Sequence, residues 1–227
     1  MIELVICDWD GTLMDSQARI VHAMRLAFEE LGEAPPAVAA VRQIIGLGLH
    51  DAVARLAPVL DQRGQGVLAA RYRKLYRSSV HVPSPLFAAV PAALETLAAD
   101  GVLLAVATGK SRAGLDRALA ESALARCFVT TRTVDECPAK PHPAMITDIL
   151  DEVGIQPSAA VMVGDTTFDL EMAAAAGVHG AGVCCGSHSR AELAACRPAW
   201  LLDDFSALPA VLRQRNLPLP ATRRPSP

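Results

Sequence analysis

Two aspartates, Asp8 and Asp10, end a short apolar run and are followed by Gly11. Their i, i+2 spacing aims both carboxylates to one side of a strand. Two carboxylates held together repel each other and lose hydration unless a cation or a proton offsets them. Three later stretches carry groups that could do so. Thr108-Gly109-Lys110 offers a hydroxyl, backbone amides and an ammonium group, and Lys140-Pro141-His142-Pro143 offers a second ammonium. Gly164-Asp165-Thr166-Thr167-Phe168-Asp169 adds two more carboxylates. The lysines stand out because the chain has 18 arginines and only three lysines, two of which are Lys110 and Lys140. That usage points to an ammonium point charge at these places.

Each group also has a plainer reading. Asp10-Gly11 is a hairpin-turn signal, Thr108-Gly109 could be an ordinary turn, and Lys140 could be a solvated charge. Asp165 could cap the helix after it, with Asp169 as a first-turn acid. No second strand follows Gly11, however, and together the groups suit phosphoryl transfer through an aspartate. A carboxylate can attack phosphorus to form an aspartyl phosphate, which splits hydrolysis into two steps. Like charge opposes that approach, so a divalent cation is required to screen both partners. Mg²⁺ prefers oxygen ligands, which Asp8, Asp165 and a backbone carbonyl near Asp10 would provide. Thr108 and the amides near Gly109 would hold phosphoryl oxygens, and Lys140 would balance charge. Asp10 would serve as general acid and base.

These groups need a scaffold that brings strand ends to one edge. Ile2 to Cys7 reads as a buried parallel strand. Helical spacing then runs over 17–31, 37–45, 51–60 and 67–79, with Gly46-Leu47-Gly48 as a loop and no convincing strand before Val82-Pro83-Ser84-Pro85. Beyond residue 84 helix and strand alternate. Strands are expected at 102–107, 127–131, 159–163, 178–184 and 199–202, with helices at 90–100, 111–121, 143–153, 168–176, 191–196 and 205–215. This pattern implies an α/β fold: a Rossmann-like, doubly wound parallel sheet with helices on both faces. The expected organisation is an α/β core from 1–14 and 84–217, with an α-helical cap at 15–83 inserted after the first strand. Such an insertion would hang over the carboxyl edge of the sheet as a lid. The proline-rich tail, 218–227, is expected to be disordered.

Composition narrows the partners. Of the 227 residues 52% are hydrophobic and 20% charged, enough apolar material for a substantial core. A net charge of −3 argues against a nucleic acid or an anionic membrane, either of which wants a basic patch. No apolar run reaches the ~18 residues of a membrane span, and the N-terminus lacks a signal core. The six cysteines (Cys7, Cys127, Cys137, Cys184, Cys185, Cys196) show no CxxC spacing, so reduced thiols and a cytoplasmic location are expected. The partner expected is a small phosphorylated metabolite, with the protein a monomer or a homodimer.

Asp8-Trp9-Asp10-Gly11-Thr12-Leu13, Thr108, Lys140-Pro141 and Gly164-Asp165-Thr166-Thr167-Phe168-Asp169, in that order, resemble the four motifs of haloacid dehalogenase-superfamily hydrolases. The resemblance extends to about Leu212, and the inserted helical block is similar to the cap of the phosphoglycolate phosphatase-like branch. It implies Asp8 as nucleophile, Asp10 as acid and base, and Mg²⁺ held by Asp8, the Asp10 carbonyl and Asp165. Asp169 would orient Lys140 or water on the metal, and Gly46, Leu47 and Gly48 would face substrate from the cap. Trp9 stands where the family usually has phenylalanine. The dehalogenases of the superfamily lack a second aspartate in the first motif and need no metal, unlike this chain. Mutases of the β-phosphoglucomutase type carry basic residues around the cap glycine, where this chain has Ile45 and Leu49. The function implied is Mg²⁺-dependent hydrolysis of a small phosphomonoester. A pyrophosphatase or sugar-phosphate mutase on the same core, and a non-catalytic receiver-like domain, are the alternatives.

Overall fold

The computed structural model describes residues 1–216, so the tail at 218–227 lies outside the described residues. Six strands form one all-parallel sheet: β1 (Leu4–Cys7), β2 (Leu103–Thr108), β3 (Thr130–Thr133), β4 (Ala160–Gly164), β5 (His179–Val183) and β6 (Trp200–Leu202). Their spatial order is β3-β2-β1-β4-β5-β6. The order reverses between β1 and β4, where open α/β sheets bind ligands beyond their strand ends. β1 pairs with β2 on one side and β4 on the other, Cys7 lying opposite Val106 and Val163.

Apolar residues on both sides of the pleat explain why β1 lies at the centre. Val5 and Cys7 pack into one core with Leu104, Val106, Val161 and Val183. Leu4 and Ile6 pack into the opposite core with Ala105, Met145, Ile149 and Met162. Helices α5 (Val90–Ala99), α6 (Arg112–Ser122) and α10 (Leu208–Asn216) adjoin the first core, and α7 (Ala144–Val153) and α8 (Thr167–Ala175) adjoin the second. The short helix α9 (Arg190–Ala195) carries a capping box between Ser189 and Glu192. This is the α/β, Rossmann-like arrangement expected from the sequence.

Between β1 and α5 the chain is helical: α1 (Gln17–Glu30), α2 (Val38–Arg42), α3 (Leu49–Leu56) and α4 (Gln62–Ser78). Met24, Phe28, Val41, Val53 and Leu68 close a third core among these helices. The chain leaves and re-enters the sheet layer along adjoining paths. Asp15 N–H donates to the Pro85 carbonyl at 2.8 Å, and Phe87 N–H to the Leu13 carbonyl at 3.0 Å. Phe168, in the first turn of α8, buries its ring in the helical core, with the Arg55 guanidinium 5.2 Å from its centroid.

Several boundaries differ from the sequence expectation. The second helix, expected over 37–45, stops at Arg42, because the chain must turn to reach Gly46, whose φ is +97°. α4 begins earlier than 67: Asp61 caps it by accepting from Gly64 N–H at 2.8 Å, which outweighs the low helix propensity of Gly64 and Gly66. The strand expected at 127–131 begins at Thr130, after a 3₁₀ turn at Ala125–Cys127.

Candidate active site

The strand ends converge as the sequence suggested. Asp8 directly follows β1, Thr108 ends β2, and Asp165 follows β4. Asp169 lies in the first turn of α8, and Lys140 comes from the loop before α7. Asp8, Thr108, Lys140, Asp165 and Asp169 are each 2% exposed or less. Burial of so many polar groups is costly unless they are paired.

Lys140 does most of the pairing. Its ammonium donates to Asp8 Oδ1 and Asp169 Oδ1, both at 2.6 Å. Asp169 Oδ2 accepts from Thr166 N–H at 3.1 Å and from the Thr166 hydroxyl at 2.7 Å. Asp169 is thus fixed from both ends and holds Lys140 in place. Asp165 Oδ1 accepts from the Thr12 hydroxyl at 3.0 Å, and its Oδ2 from Ser187 N–H at 2.7 Å. Gly11 permits this approach: its φ is +87°, and a Cβ there would overlap the Asp165 carboxylate. Gly11→Ala is therefore expected to lower stability by about 1–3 kcal/mol. Urea unfolding measures this, and an unchanged midpoint would show that the contact is not constraining.

Asp10 points elsewhere. Its Oδ1 accepts from the Ser16 hydroxyl at 2.6 Å, and its Oδ2 pairs with Lys110 at 2.8 Å. Burial works against the Lys110 charge, but Asp10, with Tyr76 and Asp8, outweighs it and holds the ammonium above the ordinary lysine value. Thr108 Oγ1 accepts from Lys110 N–H at 3.3 Å, which leaves the hydroxyl proton free to donate. Gly109 has a steric reason to be glycine. A Cβ there would lie 2.6 Å from the carbonyl oxygens of Gly46 and Leu47, so the Gly46-Leu47-Gly48 loop rests directly on the end of β2.

Three carboxylates and one ammonium leave this centre with surplus negative charge. Burial pushes Asp8 well above the usual carboxylate range, with Lys140 opposing and Asp169 and Asp165 adding to the shift. Burial, with Asp169 beside it, pushes Asp165 up to about 7. Asp8, Asp165 and Asp169 can each bring one oxygen within 4.8 Å of the others. Asp8 Oδ2 is buried and has no hydrogen-bond partner. An all-oxygen donor set, surplus negative charge and one orphaned carboxylate oxygen fit a hard divalent cation.

A cavity of about 440 Å³ opens above Asp8, Asp10 and Thr108, between the sheet edge and the helical layer. Gly46, Leu47 and Gly48 line it. So do Arg19 and Ile20 of α1 and Tyr72 and Tyr76 of α4, which sequence reasoning did not single out. Ser16 and the Ser187 amide were missed as well. A serine before a helix is an ordinary cap, and a backbone amide carries no side-chain signal.

Residues 5–183 match the family model described as haloacid dehalogenase-like hydrolase. The chain is 35% identical over 211 residues to "Probable phosphatase IndB" of Dickeya dadantii, covering 91% of each chain. It is 31% identical over 225 residues to "Phosphoglycolate phosphatase 1" of Pseudomonas aeruginosa, covering 96% of this chain and 82% of that one. The crystal structure of a "predicted phosphoglycolate phosphatase" from Haemophilus somnus superposes with a TM-score of 0.85 at 24% identity, covering 93% of this chain and 98% of that one. With the buried acid–lysine centre at the carboxyl edge of its sheet, this chain belongs to the haloacid dehalogenase-like hydrolase family, in the phosphatase branch where its curated relatives lie.

Proposed function

We propose that the enzyme hydrolyses a small phosphomonoester through an aspartyl phosphate on Asp8, with Mg²⁺ as its cation. The observation that carries this reading is the buried Asp8 carboxylate. Lys140 holds one of its oxygens and the other is uncommitted, at the floor of a cavity that also reaches Thr108 and Asp10. Asp8, Asp165 and the Asp10 backbone carbonyl would hold the cation, with Asp169 serving Lys140. When bound, the cation screens the charge between Asp8 and the phosphoryl oxygens and so lets the two approach.

An Asp8 carboxylate oxygen attacks phosphorus and the ester P–O bond breaks. Asp10 gives its proton to the departing alkoxide oxygen, then takes one from a water that attacks the phosphorus. The Asp8–phosphorus bond breaks and phosphate is released, leaving Asp8 as a carboxylate and Asp10 protonated for the next cycle. The Thr108 hydroxyl and the amides around Gly109 hold phosphoryl oxygens. Lys140 stays protonated throughout, since Asp169 and Asp8 outweigh burial and hold it above the ordinary lysine value. The helical block over 15–83 acts as the cap, and the Gly46-Leu47-Gly48 loop shields the reacting centre from water.

No helix among the described residues is long and apolar enough to cross a membrane. The cysteines are free, which supports the cytoplasmic reading. Relatives named for phosphoglycolate put that ester on the assay panel. Phosphate release with Mg²⁺ from at least one phosphomonoester is expected. Silence across the panel would end the reading, and pyrophosphate outranking every monoester in kcat/KM would replace it with a pyrophosphatase.

A further inference from the structure

Arg19, Arg73, Arg77, Lys110 and Arg117 line the cavity, and of these Arg77 and Arg117 are solvent-exposed. Lys110 is paired with Asp10 at 2.8 Å, and Arg73 faces His50 at 3.4 Å. Arg19, in the first turn of α1, is different. Its Nε donates to the Val82 carbonyl at 2.7 Å, and its guanidinium lies 5.8 Å from the Tyr76 ring centroid. Among the described residues no carboxylate pairs with it. These contacts fix the side chain at the cavity wall and leave both terminal amino groups as donors. A partly buried guanidinium in that state is a ready fork for a planar oxygen acceptor.

The rest of the cavity is larger and more apolar than a glycolate-sized group requires. A volume of about 440 Å³ falls within the roughly 300–1,000 Å³ typical of sites for drug-sized ligands. Ile20, Met24, Ile45 and Leu47 are all buried or nearly so, and the Tyr72 ring sits beside Tyr76 at 5.8 Å between centroids. A small hydroxy acid would satisfy Arg19 and leave most of the cavity between α1 and α4 unfilled. A larger body would fill it.

We propose that the alcohol half of the substrate is larger than glycolate, packs an apolar or ring-shaped body against α1 and α4, and ends in a planar oxygen acceptor, a carboxylate or a carbonyl, that Arg19 reads. This rests on the phosphomonoester reading and goes beyond it, because it assigns specificity to a residue outside the reacting centre. Arg19 acts in binding the leaving group and takes no part in bond breaking.

The test is a set of esters assayed with Mg²⁺: phosphoglycolate, phenyl phosphate, and 3- and 4-carboxyphenyl phosphate. In the wild type the better carboxyphenyl ester is expected to exceed both phenyl phosphate and phosphoglycolate in kcat/KM by roughly tenfold or more, the size of effect a charge-assisted hydrogen bond gives. Arg19→Ala should bring the carboxyphenyl-to-phenyl ratio close to one, mainly through KM. Arg19→Lys should restore only part of it, since an ammonium lacks the fork. Val80→Trp, at an exposed position on the cavity lining, narrows the cavity and should shift preference from the aryl esters toward phosphoglycolate. It tests the size argument even if Arg19 variants fail to fold. A ratio untouched by Arg19→Ala, or phosphoglycolate leading in the wild type, overturns the inference and leaves the phosphatase reading standing. Absence of turnover with every ester in the wild type overturns both.

Discussion

Replacing Asp8 with asparagine is expected to lower phosphate release by roughly 10⁴-fold or more, the scale of loss when a covalent nucleophile is removed. The amide has the same shape but is a far weaker nucleophile. The substitution should nevertheless be mild for folding. Asp8 is one of three buried carboxylates served by a single lysine, and burial together with Asp169 and Asp165 already disfavours its charge. Removing that charge relieves repulsion, and Asp169 still accepts from Lys140 at 2.6 Å. The melting temperature of Asp8→Asn without added cation should therefore equal or exceed that of the wild type. Lys140→Met provides the contrast. It leaves Asp8, Asp165 and Asp169 buried with no counter-charge from the chain, and a broken buried pair costs roughly 3–5 kcal/mol. Loss of activity in both variants, with stability kept in one and lost in the other, separates the nucleophile from the charge that supports it. An Asp8→Asn enzyme that retains turnover would remove Asp8 from the proposed role.

What could be read in advance follows from where each group's signal resides. Asp8, Thr108 and Asp165 sit at the ends of apolar runs long enough to mark strands, so residue type and position agreed before any coordinates were known. The fold was legible for the same reason: β1, β2 and β4 are apolar on both faces, and parallel strands covered by helices require that. Groups that act across the cavity were much harder to see. Tyr72, Tyr76 and Arg19 come from two helices whose exposed faces look ordinary along the chain, and they meet only when α1 packs on α4. Lys110 stood out as a rare lysine at a strand end, but its pairing with Asp10 depends on a loop path fixed by Gly11. The short α2 shows the limit of periodicity. Ile44 and Ile45 continue a helical apolar pattern, but the chain turns away after Arg42 so that Gly46 and Leu47 can rest on Gly109. A close approach between backbones overrode a local preference, and spacing alone does not record such an approach.

Without cation, stability is expected to fall as pH rises through the neutral range, and Mg²⁺ should reverse that fall. Burial and Asp169 push Asp165 up to about 7 from an ordinary value of 3.8. Between those values the folded chain holds a proton that the unfolded chain has released, so stability decreases with pH. The contribution is intact below about pH 4, is lost progressively between about pH 4 and pH 7 and changes no further above that, a swing of at most about 4 kcal/mol. Asp8 is shifted in the same direction and adds to it. A divalent cation supplies the charge that the proton otherwise supplies, so it competes with protonation and binds better at high pH. At a concentration 100 times its dissociation constant it would add about 2.7 kcal/mol, or roughly 5–10 °C in melting temperature for a chain of this size. Thermal unfolding of chelator-treated protein at pH 5.5 and pH 8, each with and without Mg²⁺, measures both parts. The Mg²⁺-induced rise should be at least twice as large at pH 8, and Asp165→Asn should remove most of it. A rise of equal size at the two pH values would mean that the cation does not compete with the proton on these carboxylates. The centre would then have to be held together chiefly by Lys140.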